Sequence, residues 1–309
     1  MSGNDAQAIP EYRKVLELKP GLYEAQLNLG ISLVQSKAFG DATNTLLLAS
    51  DQKPNEVRPA LYLAEAYLGA GDFAKAADWY RKAGSLDASY KTALLKVATA
   101  QEARGDFDAA IKLYAEFPND DGAQERLGVI LLQLKKIPES IAALEPVVKR
   151  SPSDANLIAL AQAYVANKEP SKAQPLAARA LAASPNDNEL RLFHARLLRD
   201  LRKFPEASQE FLAAAQRDPK SVAAWNELAG VFTSMEQYPQ ALVALDKVKG
   251  LGAEKAGNFY LRALVLDKMH QDKQAVENYN KFLELSKGEL PDQEFIARQR
   301  VRTLDKSKR

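Results

Sequence analysis

The stretch "WNELAGVFTSMEQYPQAL", Trp225 to Leu242, decides how this chain folds. Its apolar residues Trp225, Leu228, Val231, Phe232 and Met235 recur three and four apart, which gathers them on one face of a helix. The small Ala229 sits inside that face, where burial should be tightest. A polar break follows, and Tyr238, Pro239 and Ala241 open a second helical pattern. "LYLAEAYLGAGDFAKAADWY", Leu61 to Tyr80, repeats the arrangement: Leu63-Ala64 fall on Leu228-Ala229, Tyr67 on Phe232, Phe73 on Tyr238 and Ala76 on Ala241. A small residue within a buried face lets a neighbouring helix come close. Its recurrence at fixed spacing predicts an array of helix pairs.

The register can be walked through eight copies. The paired small or apolar positions run Leu29-Gly30, Leu63-Ala64, Val97-Ala98, Leu127-Gly128, Leu160-Ala161, His194-Ala195, Leu228-Ala229 and, in the eighth, Ala263 after Phe259. The period is 34 residues where no deletion intervenes, and the third copy is about four residues short. Pro138, Pro205 and Pro239 stand in first turns, which have no helical N–H bond to lose. Pro54, Pro152, Pro185 and Pro219 stop second helices, and Pro118 cuts the short third copy, where the array is expected to bend. Pro10, Pro146 and Pro175 fall inside second helices and predict local distortion there.

This pattern of Leu-Gly/Ala, Tyr, Ala, Tyr/Phe, Ala and Pro resembles the tetratricopeptide repeat over nearly the whole chain. The resemblance implies an all-α, right-handed α-solenoid superhelix of about eight helix–turn–helix repeats. As one solenoid over 1–309, it would hold a lone second helix over 5–20, eight repeats over 23–289 and a capping helix over 291–305. Phe295, Ile296, Val301 and Leu304 are expected to cover the last repeat, with Arg300, Arg302 and Lys306 at the negative helix end. "MSG" at the start reads as an expression remnant, and the lone helix at 5–20 reads as a severed repeat whose Tyr12, Val15 and Leu16 offer an open face.

Composition excludes several classes. Forty-two Lys and Arg stand against 40 Asp and Glu, so no excess positive charge argues for a nucleic-acid binder. There is no cysteine, hence no disulfide, which suits a bacterial cytoplasm or periplasm equally. No apolar run is long enough to span a membrane. The two histidines, His194 on a core face and His270 in a turn, lack a metal-binding partner, and no phosphate loop or G-x-S-x-G is present. Neither catalysis, a cofactor nor a metal is expected.

Binding remains. The resemblance implies that first helices line a concave groove for a partner peptide. Transferred to this chain, the groove positions include Leu27, Asn28 and Ile31; Leu61, Tyr62 and Glu65; Leu95, Lys96 and Thr99; Glu125 and Arg126; Phe193, Arg196 and Arg199; Glu227; and Tyr260, Leu264 and Asp267. The lysine and asparagine set with which family members hold a peptide C-terminus is absent, since Leu27 and Ile31 stand in its place. Lys96, Arg126, Arg196 and Arg199 instead suit an acidic segment, unless groove acids pair with them. Tyr62, Phe193 and Tyr260 are the candidate apolar anchors. The primary expectation is a protein-interaction scaffold. The rivals are the scaffold portion of a larger enzyme or cell-envelope assembly machine, and a protein that self-assembles through its N-terminal helix.

Overall fold

The computed structural model describes residues 5–306, with side chains over 8–305; the "MSG" start lies outside them. Helix α1 (Asp5–Leu18) precedes eight antiparallel pairs. These are α2 (Tyr23–Gln35) and α3 (Phe39–Gln52), α4 (Val57–Ala70) and α5 (Phe73–Leu86), α6 (Leu95–Ala103) and α7 (Phe107–Ala115), and α8 (Asp121–Gln133) and α9 (Ile137–Arg150). They continue with α10 (Asp154–Ala166) and α11 (Pro170–Ala183), α12 (Asn188–Asp200) and α13 (Phe204–Arg217), α14 (Val222–Ser234) and α15 (Tyr238–Gly250), and α16 (Ala256–Lys268) and α17 (Asp272–Ser286). Helix α18 (Pro291–Lys306) follows. Among the described residues there is no strand. The chain divides into two compact units, one reaching to Ala143 and one starting at Leu144.

The repeat is written into the backbone. Each first helix of a pair ends on a left-handed residue: Lys37, Gly71, Gly105, Lys135, Lys168, Arg202, Glu236 and His270. These stand 34 residues apart, except for 30 from Gly105 to Lys135 and 33 from Lys135 to Lys168. The six that are not glycine hold φ between 58° and 62°. The next residue's N–H returns to a carbonyl of the last turn, as in Asp72 to Tyr67 at 2.9 Å and Gln237 to Phe232 at 2.9 Å, which caps the helix and offsets the strain.

Small residues sit where helices cross. Ala64, Ala98, Ala161, Ala195, Ala229 and Ala263 on first helices are fully buried. So are Ala76, Ala110, Ala173, Ala207, Ala241 and Ala275 on second helices. In the fourth repeat Ser140 takes the second-helix place, and its hydroxyl donates to the Gly128 carbonyl at 2.7 Å. At Gly30 a Cβ would stand 2.4 Å from Leu46 Cγ, so the pair closes only over a hydrogen.

The third repeat departs from its siblings. Its first helix begins as a 3₁₀ helix, Ala88–Leu94, before α6 takes over. Sequence periodicity does not separate these two helix types. The 3₁₀ segment lies against Gly84, whose missing Cβ would be 3.1 Å from the Lys91 Cα. Helix α7 has only 9 residues and ends before Pro118.

Two expectations about faces are corrected. Phe295 and Ile296 do not cover the last repeat; they are 65% and 45% exposed. Ala297 falls 34 residues after Ala263 and fixes the facing stripe of α18 as Glu294, Ala297 and Leu304, with Arg300 and Val301 half-buried beside it. Phe295 and Ile296 lie about a hundred degrees to either side of that stripe. Glu294 is buried because Ser286 Oγ donates to it at 2.7 Å and the Gly288 N–H at 2.6 Å. Leu27, assigned above to the groove, is 1% exposed and belongs to a core cluster that Ile9, Tyr12 and Leu16 of α1 join. On α1 the outward large apolar residues are Val15 and Leu18.

Candidate functional site

In the first unit, α4 and the 3₁₀–α6 segment border an open cavity of about 800 Å³. Leu61, Glu65 and Leu68 line one side; Tyr90, Ala93, Leu95, Lys96 and Thr99 line the other. Its shape follows from sequence: the tighter 3₁₀ turn at Ala88–Leu94 brings Ser89, Tyr90 and Thr92 to the cavity edge. A second chamber of about 320 Å³ shares Glu65, Leu68 and Lys96 and continues to Val34, Phe39 and Tyr80. The Lys96 ammonium meets Glu65 Oε1 at 2.7 Å between the two.

The four candidate cations all have carboxylate partners on neighbouring first helices. Besides Lys96 with Glu65, Arg126 of α8 grips Glu102 of α6, with Nε 3.1 Å from Oε2 and Nη2 on Oε1. In the second unit, Arg196 Nε donates to Glu227 at 3.0 Å, and Arg199 reaches both Glu227 and Asp200. Acids on neighbouring first helices therefore answer these cations, Glu65, Glu102 and Glu227 foremost. Such pairs are partly exposed and weak, about 0–1 kcal/mol each.

The aromatic candidates differ in freedom. Tyr62 is half-buried beside the first core cluster, and Phe193 is half-buried on α12. Tyr260 is committed to packing: its ring lies 5.0 Å from Phe282 and 6.1 Å, edge-on, from Tyr279. Burial raises its phenol pKa. Lys96, Tyr62 and Arg126 belong to the first unit, and Phe193, Arg196, Arg199 and Tyr260 to the second, so they form two surfaces as described.

Three buried tyrosines on second helices, unremarked from sequence as functional, set the polar chemistry of these faces. Tyr114 of α7 donates to Glu102 at 2.8 Å and lies 3.2 Å from the Thr99 hydroxyl. Tyr279 of α17 donates to Asp267 at 3.2 Å, and Arg300 of α18 clamps the same carboxylate at 2.7 and 2.6 Å. Burial lifts both phenols, and the neighbouring acid adds to it. Tyr80 of α5, 34 residues before Tyr114, is fully buried, yet its hydroxyl has no hydrogen-bond partner. Burial, and then the Glu65 charge, push its phenol far above the ordinary value. A signal for this difference stands in the sequence: Leu68 occupies the repeat position of Glu102 and Asp267.

His194 is 7% exposed, packed in the leucine-like position expected for it; Gln174 Nε2 lies 3.0 Å from its Nε2. His270 is exposed in its turn. No described helix is long and apolar enough to cross a membrane.

Comparison with known proteins agrees with this geometry. Tetratricopeptide repeat models match residues 45–91, 92–155 and 192–256, and another of the same description matches 154–197. The chain is 24% identical over 322 residues to Superkiller protein 3 of Schizosaccharomyces pombe, covering 96% of this chain and 23% of that protein. It is 24% identical over 277 residues to the TPR repeat-containing protein YpiA of Bacillus subtilis, covering 87% of this chain and 63% of that one. The chain thus spans less than two thirds of either relative. Among solved structures, MamA superposes with a TM-score of 0.50 at 17% identity, over 53% of this chain and 97% of MamA, a likeness of fold. Helix pairs at a 34-residue beat, small residues at every crossing and these family matches lead to one conclusion: the chain belongs to the tetratricopeptide repeat family.

Proposed function

We propose that this protein is a non-catalytic scaffold that takes an extended segment of a partner protein on its first-helix faces, chiefly across α4 and α6. Tetratricopeptide repeat proteins act as protein-interaction scaffolds, which supports the coarse reading. The finer one rests on the open cavity between α4 and the 3₁₀–α6 segment, where Leu61, Leu68 and Leu95 supply an apolar floor beside Tyr90, Thr99 and the Glu65–Lys96 pair. Apolar lining with a few placed polar groups is the usual make-up of a binding cleft. Partner acids exchange into the ion pairs of this face, and Tyr62 serves as an apolar anchor.

The test is capture of partners by the intact chain, identified by mass spectrometry, then calorimetry of the best of them. Leu61→Asp with Leu95→Asp should weaken binding at least tenfold with the helical circular-dichroism signal unchanged. Unchanged affinity would move the binding surface away from α4 and α6.

A further inference from the structure

Two repeats carry a closed three-part cluster, and a third carries the same cluster with one part missing. Tyr114, Glu102 and Arg126 form one: the carboxylate accepts from the buried phenol of its own repeat and from a cation on the following first helix. Tyr279, Asp267 and Arg300 form another, the cation here standing on the terminal helix α18. In the second repeat the phenol is Tyr80 and the cation is Lys96, 5.9 Å from the Tyr80 ring centre. The position of the carboxylate holds Leu68. The Tyr80 hydroxyl is left buried and unpartnered, and Lys96 turns to Glu65. Tyr80, Lys96 and Leu68 all line the 320 Å³ chamber that opens beside them.

A buried polar group without a partner is destabilising, so its persistence beside an open chamber asks for an occupant. We propose that this chamber seats an acidic side chain of the bound partner segment, held between the Tyr80 hydroxyl and the Lys96 ammonium, where the sibling repeats keep a carboxylate of their own. Glu65 releases Lys96 as the acid enters. A neutral amide fits the space and can accept from Lys96 but brings no negative charge to pair with it, and a basic side chain meets Lys96 with like charge. The inference rests on the groove reading above and adds the residue class that the groove selects.

The test uses three pools of acetylated, amidated nonapeptides with identical Ala, Leu and Ser flanks and a central Glu, Gln or Lys. Their affinities for the full chain are read by fluorescence anisotropy at low salt. The wild type should hold the Glu pool about tenfold tighter than the Gln pool, and the Lys pool weakest. Leu68→Glu should erase this preference by supplying the internal acid. Tyr80→Phe should cut it at least threefold without lowering the melting temperature, because the hydroxyl it removes makes no bond in the free protein. A wild-type preference in both variants, or a marked loss of stability in Tyr80→Phe, overturns the proposal. Equal binding of Glu and Gln pools to the wild type overturns the acid seat and leaves the groove standing; binding of no pool overturns both.

Discussion

Gly30 of α2 and Leu46 of α3 touch so closely that a methyl group on the glycine would stand 2.4 Å from Leu46 Cγ and 2.5 Å from Cδ2. Gly230 of α14 is also a helical glycine, but a Cβ there meets nothing within 4 Å. Helix propensity favours alanine over glycine by about 1 kcal/mol at both sites. At Gly30 overpacking, about 1–3 kcal/mol, outweighs that gain. Gly30→Ala should therefore lower stability in urea unfolding, and Gly230→Ala should raise it. The same sign at both sites would contradict the crossing geometry.

Ala229 extends the argument to the stretch that decided the fold. It is fully buried, whereas Gln240 on the following helix is exposed. Ala229→Leu should cost about 1–3 kcal/mol and Gln240→Leu under about 0.5 kcal/mol. Thermal melts that rank the two in the other order would break the register.

Asp267 links the last repeat to α18. Burial pushes its carboxyl up, but the Arg300 hydrogen bonds and charge, with the Tyr279 hydroxyl, outweigh burial and hold it below the ordinary value. A carboxyl with a depressed folded pKa stabilises above its unfolded value near 4, and that stability is lost as pH falls through the folded value. The wild type should exceed Asp267→Asn by about 1–3 kcal/mol at pH 7, with the gap closing below about pH 4. A gap independent of pH, in urea unfolding at pH 7, 5 and 3, would contradict the clamp.

His194 works in the other window. Burial lowers its pKa, helped by Arg191 and Lys203 and opposed by Glu210. The folded protein thus prefers the neutral ring, and the unfolded chain binds the proton first. Stability should be full above about pH 6.5 and fall as pH drops through that value, by up to about 1.4 kcal/mol per pH unit. His194→Leu, at a position that is leucine in sibling repeats, should flatten this slope between pH 7.5 and 5.5.

The first-helix face of the second unit has a charge lever. Glu227 occupies both Arg196 and Arg199. Glu227→Gln should free Arg196, leave Arg199 paired with Asp200 alone and strengthen capture of an acidic segment; Arg196→Glu with Arg199→Glu should weaken it. The contrast should shrink at high salt, since the pairs are partly exposed. Calorimetry at two salt concentrations checks both directions.

Most of the fold could be read from spacing, because crossing helices demand small residues and those residues recur at Ala64, Ala98, Ala195 and Ala229. The short third repeat was legible for the same reason. The 3₁₀ start of its first helix was not: Gly84 permits the approach of Lys91, and a glycine in sequence does not announce what it lies against. Phe295 and Ile296 misled because apolarity alone does not phase a helix; Ala297, at the 34-residue beat, does. The groove cations were visible as charges, but their carboxylate partners lie 24 to 31 residues away on neighbouring helices, a pairing that only the register between repeats brings together. Leu68 was the overlooked signal, since its meaning depends on a buried hydroxyl.

The central claim is that partners lie along the first helices of the opening unit. A photo-activated benzoylphenylalanine placed at Thr99, on the cavity edge, and separately at the exposed Leu48 of second helix α3, reads this directly. The protein with the probe at Thr99 should cross-link to its captured partner, at peptides mapped by mass spectrometry, and the protein with the probe at Leu48 should not. Cross-linking from Leu48 and none from Thr99 would contradict the account.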